Sequence, residues 1–263
     1  MNDLNLFITE SLLILIGHGI VGGLQIMDLL GKKECPPIAQ YPIHSFFRTG
    51  NILKGRPVVC GGLDDHTGFI SACYRHDPET NFWSYFTSLH TARALPASAI
   101  VEDKLWVIGG GAGIYGNGIK STEFIYPNGK SVPGPNLPAP RIGPCLINLL
   151  DGRYLVAGGG RLGSDALDSH TDVWIYDSRN GSFMNGPPII RGTMNPACTL
   201  FYSPLHDNRP VAMVIIETND QVPIHVEVLD FTRRSAVWEN CKYFLSYQPD
   251  HFDSKSKIKQ HIL

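Results

Sequence analysis

Leu105-Trp106-Val107-Ile108-Gly109-Gly110 decides the reading of this chain, because it has two parallels, Pro57-Val58-Val59-Cys60-Gly61-Gly62 and Tyr154-Leu155-Val156-Ala157-Gly158-Gly159. Their closing glycines, Gly62, Gly110 and Gly159, stand 48 and 49 residues apart. Each run is apolar over four positions, the pattern of a strand buried on both faces. The glycine pair permits a turn with positive φ where neighbouring sheets crowd together.

Further landmarks cycle behind this one. Met27-Asp28, His76-Asp77, Ile125-Tyr126, Tyr176-Asp177 and Leu229-Asp230 place their second residues 49, 49, 51 and 53 positions apart. Each is followed by Cys35, Trp83, Val132, Phe183 or Trp238, side chains suited to packing between sheets. Asp77-Pro78-Glu79-Thr80-Asn81 and Asp177-Ser178-Arg179-Asn180-Gly181 are tight-turn sequences with Asx-type bonding. Thr171-Asp172-Val173-Trp174-Ile175-Tyr176 alternates as a half-buried strand does. A recurring arginine closes the first four units, at Arg48, Arg93, Arg141 and Arg191. The repeats run over 12–48, 49–93, 94–141, 142–191 and 192–241, in one domain over 1–247, with a polar tail expected to be mobile over 248–263. Gly17-His18-Gly19 stands for the glycine pair in the first repeat, and Val214-Ile215-Ile216-Glu217 replaces it in the last.

These landmarks resemble the kelch repeat, whose period is about 50 residues. The resemblance covers residues 12 to 240 and implies an all-β propeller of about five four-stranded blades, or a truncated six. Lys242-Tyr243-Phe244-Leu245-Ser246-Tyr247 is a candidate to complete the first sheet. The likeness also implies a non-enzymatic module that binds a protein partner through inter-strand loops. Many kelch proteins serve as substrate-recognition parts of cullin-type ubiquitin ligases through an added BTB domain, and no such domain is read in this sequence. Galactose oxidase, a copper-binding relative of the fold, sets the enzymatic alternative, alongside a lectin. Its His and Tyr ligands and Tyr–Cys cross-link find no matching positions here, so no catalytic residue, cofactor or metal ligand is assigned.

Composition limits the remaining functions. Hydrophobic residues make up 43% of the 263, enough for a sizeable core, while charged residues make up 17%, below the common share of about 25%. A net charge of −2 without a basic patch in the repeats excludes nucleic acid and anionic membrane as expected partners. Leu12-Leu13-Ile14-Leu15-Ile16 reads as a buried strand rather than a signal-peptide core, since Asp3 and Glu10 flank it. No apolar stretch approaches the ~18 residues of a membrane span. Ten histidines are scattered without ligand spacing. Gly109-Gly110-Gly111-Ala112-Gly113 lacks the Gly-Lys-Ser/Thr ending of a phosphate loop.

Candidate binding residues lie in the loops after each glycine pair, because loops on a rigid scaffold carry recognition. They are Asp64, Asp65 and His66; Tyr115 and Asn117; and Arg161, Asp165 and Asp168; Glu217 to Pro223 forms a fourth loop. Arg93, Arg141 and Arg191 have two readings, a cationic ring for acidic peptides or a structural brace between repeats, and the brace is favoured. Of the six cysteines, Cys60 and Cys73 fall on consecutive strands of one hairpin, where antiparallel pairing brings Cβ atoms within disulfide range. Free buried thiols are the alternative. Asn180-Gly181-Ser182 is a glycosylation sequon. The compartment stays open between extracellular and cytosolic, and the oligomeric state is unassigned.

Overall fold

The computed structural model describes residues 12–16, 24–28, 38–113, 117–162, 167–217 and 224–240. An antiparallel pair, β1 (Leu12–Ile16) and β2 (Leu24–Asp28), comes first. Four antiparallel four-stranded sheets follow, each contiguous in sequence. Sheet one holds β3 (Thr49–Leu53), β4 (Arg56–Cys60), β7 (Ala72–Asp77) and β8 (Phe82–Ser88), with a small hairpin β5 (Leu63–Asp64) and β6 (Gly68–Phe69) inserted after β4. Sheet two holds β9 (Ala97–Val101), β10 (Lys104–Ile108), β13 (Thr122–Ile125) and β14 (Ser131–Pro133), with hairpin β11 (Gly111–Ala112) and β12 (Asn117–Gly118). Sheet three holds β15 (Cys145–Asn148), β16 (Arg153–Ala157), β19 (Val173–Asp177) and β20 (Ser182–Gly186), with hairpin β17 (Gly160–Leu162) and β18 (Leu167–Ser169). Sheet four holds β21 (Ala197–Ser203), β22 (Arg209–Glu217), β23 (Ile224–Leu229) and β24 (Trp238–Asn240). No helix among the described residues is long and apolar enough to cross a membrane.

The sheets stack face to face in chain order, with their first strands β3, β9, β15 and β21 side by side. Alternation along a strand therefore assigns side chains to one neighbour or the other. On β10, Leu105 and Val107 pack toward sheet one, while Trp106 and Ile108 pack toward sheet three. On β19, Val173 joins sheet four, while Trp174 and Tyr176 join sheet two. This corrects the half-buried reading of that strand: every residue from Val173 to Asp177 is buried, because both faces are covered.

The aromatic landmark has a bonding role as well. Trp83 Nε1 donates to the Ala39 carbonyl at 3.0 Å, and Trp238 Nε1 donates to Pro187 at 2.9 Å. Each indole thus ties its sheet to the segment preceding that sheet. In the last repeat, where no glycine pair interrupts it, β22 runs nine residues to Glu217 and stays paired with β23. Leu12–Ile16 is a strand, as expected, with its burial left undescribed, and the closing role of Lys242–Tyr247 and the character of the tail lie outside the described residues.

Candidate functional site

Antiparallel register places the starts of the first strands beside the ends of the second. Thr49 faces Cys60, Ala97 faces Ile108, and Cys145 faces Ala157. The glycine pairs therefore share one rim. Gly109 has φ +58°, and a Cβ there would sit 2.6 Å from the Arg141 carbonyl oxygen. Gly110, at φ +99°, donates its N–H to that same oxygen at 2.7 Å. Gly62 and Arg93 repeat the bond at 2.8 Å. Both glycines are required, for backbone conformation and for the close approach of the next connection.

Three hairpins hang from this rim, each tied at its root by a bridge: Phe46 with Leu63, Ala94 with Gly111, and Ile142 with Gly160. In the first, Asp64 accepts from the His66 N–H, the Thr67 N–H and the Thr67 hydroxyl at 3.0, 2.7 and 2.9 Å. The two Thr67 bonds, aided by the His66 N–H, hold its carboxyl below the usual carboxylate range. Asp64 therefore closes its own turn, while Asp65 and His66 at the tip are exposed. Asn117 lies on β12 opposite Ala112, and Arg161 lies opposite Asp168 in β17 and β18. β12 runs alongside β17, so the second and third hairpins adjoin. Tyr115, Asp165 and the loop over 218–223 fall outside the described residues.

Arg93 and Arg141 are buried braces rather than members of a ligand-facing ring. Arg93 is 0% exposed and Arg141 1%. The Arg93 guanidinium donates to the Gly109 and Ser121 carbonyls at 3.0 and 2.8 Å, to Ser121 Oγ at 3.2 Å and to Glu123 Oε1 at 2.6 Å. Its carbonyl binds sheet one while its side chain grips sheet two. Arg141 does the same one unit later, pairing with Asp172 and lying 4.1 Å over the Trp174 ring. Arg48 and Arg191 do not belong to this series. The carbonyl that approaches Gly61 and Gly109 belongs to Arg93 and Arg141, but at Gly158 it belongs to Thr193. Phe46, Ala94 and Ile142 are equivalent bridge residues, which places Ser45 with the arginines and Arg48 with Pro96 and Pro144. Arg191 is exposed, and its N–H donates to Glu227 at 2.9 Å.

Two sets of residues were missed from sequence. Glu123, 2% exposed, accepts from the His90 and Thr91 amides, the His90 ring, Ser131 and Arg93. Burial works to raise its carboxyl pKa, but these bonds and the Arg93 charge outweigh it, and the net shift is downward. Glu227 holds the Ile190 and Arg191 amides in the same way. The second set is an arc at the rim: Leu95 N–H donates to Phe47 O, Gly143 N–H to Leu95 O, and Asn195 N–H to Gly143 O, at 2.8, 2.9 and 2.9 Å. All four have left-handed φ, between 52° and 57°. Phe47 and Leu95 are bulky for that region, which costs of order 1 kcal/mol each. The prolines at 96, 144 and 196, directly after this position in three of the four repeats, were the available signal.

Cys60 and Cys73 form the expected bridge, directly opposite on β4 and β7 with Cα atoms 4.1 Å apart. A second bridge, Cys145 to Cys198, joins β15 to β21 across 6.1 Å and was not anticipated, because nothing in the sequence shows that first strands of successive units are neighbours. Among the described residues, no three His, Cys, Asp or Glu side chains are grouped to hold a metal ion.

No protein-family model matches the chain, and no curated protein matches it. Among solved structures it is similar to that of YjhT, with a TM-score of 0.62 and 13% identity, over 81% of this chain and 75% of that one. That fold is β-propeller-like, and the likeness extends to fold alone. The chain is an all-β protein of four-stranded antiparallel sheets in a propeller-like arrangement.

Proposed function

We propose that this chain is a kelch-type β-propeller that binds a protein partner, without catalytic turnover, through the hairpins of its diglycine rim. The observation that carries the reading is the construction of that rim. Each hairpin is fixed at its root by a backbone bridge, with a buried arginine bracing the connection at the second and third, while the tip of the first, which bears Asp65 and His66, is exposed. A rigid base with variable tips spends little ordering entropy on binding, which favours recognition. The three hairpins differ in sequence, Leu63 to Phe69 against Gly111 to Gly118 and Gly160 to Ser169, which suits one specific partner over a repeated ligand. The kelch resemblance and the propeller-like similarity to YjhT agree with this use.

The test is affinity capture with the full chain, followed by the tip variant D65K/H66E. A specific protein captured by the wild type and lost at least tenfold by the variant, with an unchanged melting temperature, supports the proposal. Metal-dependent oxidation of a carbohydrate in a turnover assay, or glycan binding in an array with no protein captured, overturns it.

A further inference from the structure

We propose that Asn180 carries an N-linked glycan, placed on the rim opposite the diglycine turns. Asn180-Gly181-Ser182 is the only Asn-x-Ser/Thr sequence in the chain. It forms the turn between β19 and β20, and all three residues are exposed. Asn180 Oδ1 accepts from the Ser182 N–H at 3.0 Å and the Ser182 hydroxyl at 2.7 Å. The amide oxygen is thus occupied by the sequon's own serine, and Nδ2 makes no hydrogen bond among the described residues. A Cβ built on Gly181 meets nothing within 4 Å, so the space over the turn is open.

A second, independent observation points to the compartment. The bridges Cys60–Cys73 and Cys145–Cys198 belong to an oxidising environment such as the secretory lumen, where oligosaccharide transfer to asparagine takes place. In that transfer Nδ2 of Asn180 attacks the anomeric carbon of a polyprenyl-pyrophosphate-linked oligosaccharide. The new N–C bond forms as the C–O bond to pyrophosphate breaks. The lipid pyrophosphate leaves with the electron pair, and Nδ2 gives one proton to a base of the transferase.

The location has a consequence for the surface. The β19 end at Asp177 faces Arg153, whereas its start at Val173 faces Ala157 beside the glycine pair. A five-residue strand, about 17 Å at ~3.3 Å per residue, separates the sugar from the hairpins. The glycan therefore covers the far rim and leaves the hairpin rim open.

The experiment is mass spectrometry of the protein from its native source, digested without reduction, before and after peptide N-glycosidase treatment. The expected result is an Asn180 peptide with a glycan mass that the enzyme removes, alongside both disulfide-linked peptides. Re-expressed in the same cells, S182A loses the added mass and S182T keeps it, both with the wild-type melting temperature. An unmodified Asn180 in the native protein overturns the proposal, whether the cysteines are bridged or free.

Discussion

Replacing Arg93 with methionine tests whether the arginines hold the sheets together. Methionine fills much of the same volume but removes the guanidinium from a site with no exposure, leaving Glu123 without its cation and Ser121 and Gly109 without a donor. Breaking a buried ion pair from one side costs about 3–5 kcal/mol. Glu123 keeps the His90 and Thr91 amides and the Ser131 hydroxyl, so the expected loss is about 3 kcal/mol at the low end of that range. The same change at Arg141 is the control. Its partner Asp172 is 53% exposed and rehydrates when released, while Arg141 Nε and Nη1 have no hydrogen bond to lose. What goes is an ion pair to a solvated carboxylate and the contact with Trp174, together about 1 kcal/mol. Urea unfolding of both variants with disulfides intact, followed by far-ultraviolet circular dichroism, measures the difference. At ~2–4 °C per kcal/mol, R93M melts about 6–12 °C below wild type. Equal losses for the two variants, or a larger loss for R141M, refute the bracing argument.

Gly109→Ala combines left-handed strain with a Cβ 2.6 Å from the Arg141 oxygen, whereas Gly181→Ala at φ +70° has only the strain. Denaturant midpoints should show a cost of ~1 kcal/mol for G181A and at least twice that for G109A. The bridge Cys145–Cys198 closes 53 residues and Cys60–Cys73 closes 13, so replacing each pair by alanine should cost about 4 and about 3 kcal/mol on loop entropy, read by chemical unfolding. Glu123 has a lowered folded pKa, so the stability it contributes is complete above its ordinary value of 4.5 and fades as pH falls below that. Unfolding measured down an acid series should therefore fall less steeply for E123Q than for wild type.

The strands, the glycine turns and the first disulfide were legible because each is written in a contiguous segment. Buried runs such as Leu105–Ile108 announce themselves, and Cys60 and Cys73 sit on neighbouring strands of one hairpin. What was not legible depends on contact between repeats. Alternation in β19 was read as inside against outside, when it separates two neighbouring sheets, a distinction that periodicity does not contain. The arginine spacing misled for a related reason. Arg93 and Arg141 are equivalent, but insertions shift the frame so that Arg191 falls two positions before the matching Thr193, and only backbone contacts at the glycine turns reveal this. The rim hairpins were found by their place after the glycine pairs, whereas the left-handed arc required the bonds from Leu95, Gly143 and Asn195 to be seen.

One relation between distant positions emerges from that corrected frame. Leu89, Leu137 and Ile189 are equivalent, each donating its N–H to a residue just before a third strand. The next residue is His90, Pro138 or Ile190, and Pro42 follows Tyr41 at the corresponding place. Where that residue has an amide, the third strand offers Glu123 or Glu227 to accept it. Where it is proline, the third strand carries an aromatic, Tyr74 beside Tyr41 or Trp174 beside Arg141. The carboxylate answers a donor that proline lacks. Glu227→Ala should therefore leave the Ile190 and Arg191 amides without their acceptor, at ~1–3 kcal/mol each. Adding Ile190→Pro, a residue the same position accepts in two other repeats, removes one of those donors. The double variant should then lose less stability than the sum of the two single changes, by a coupling of about 1 kcal/mol. Strict additivity in urea unfolding would show that the buried glutamates pack against the connection without answering its amides.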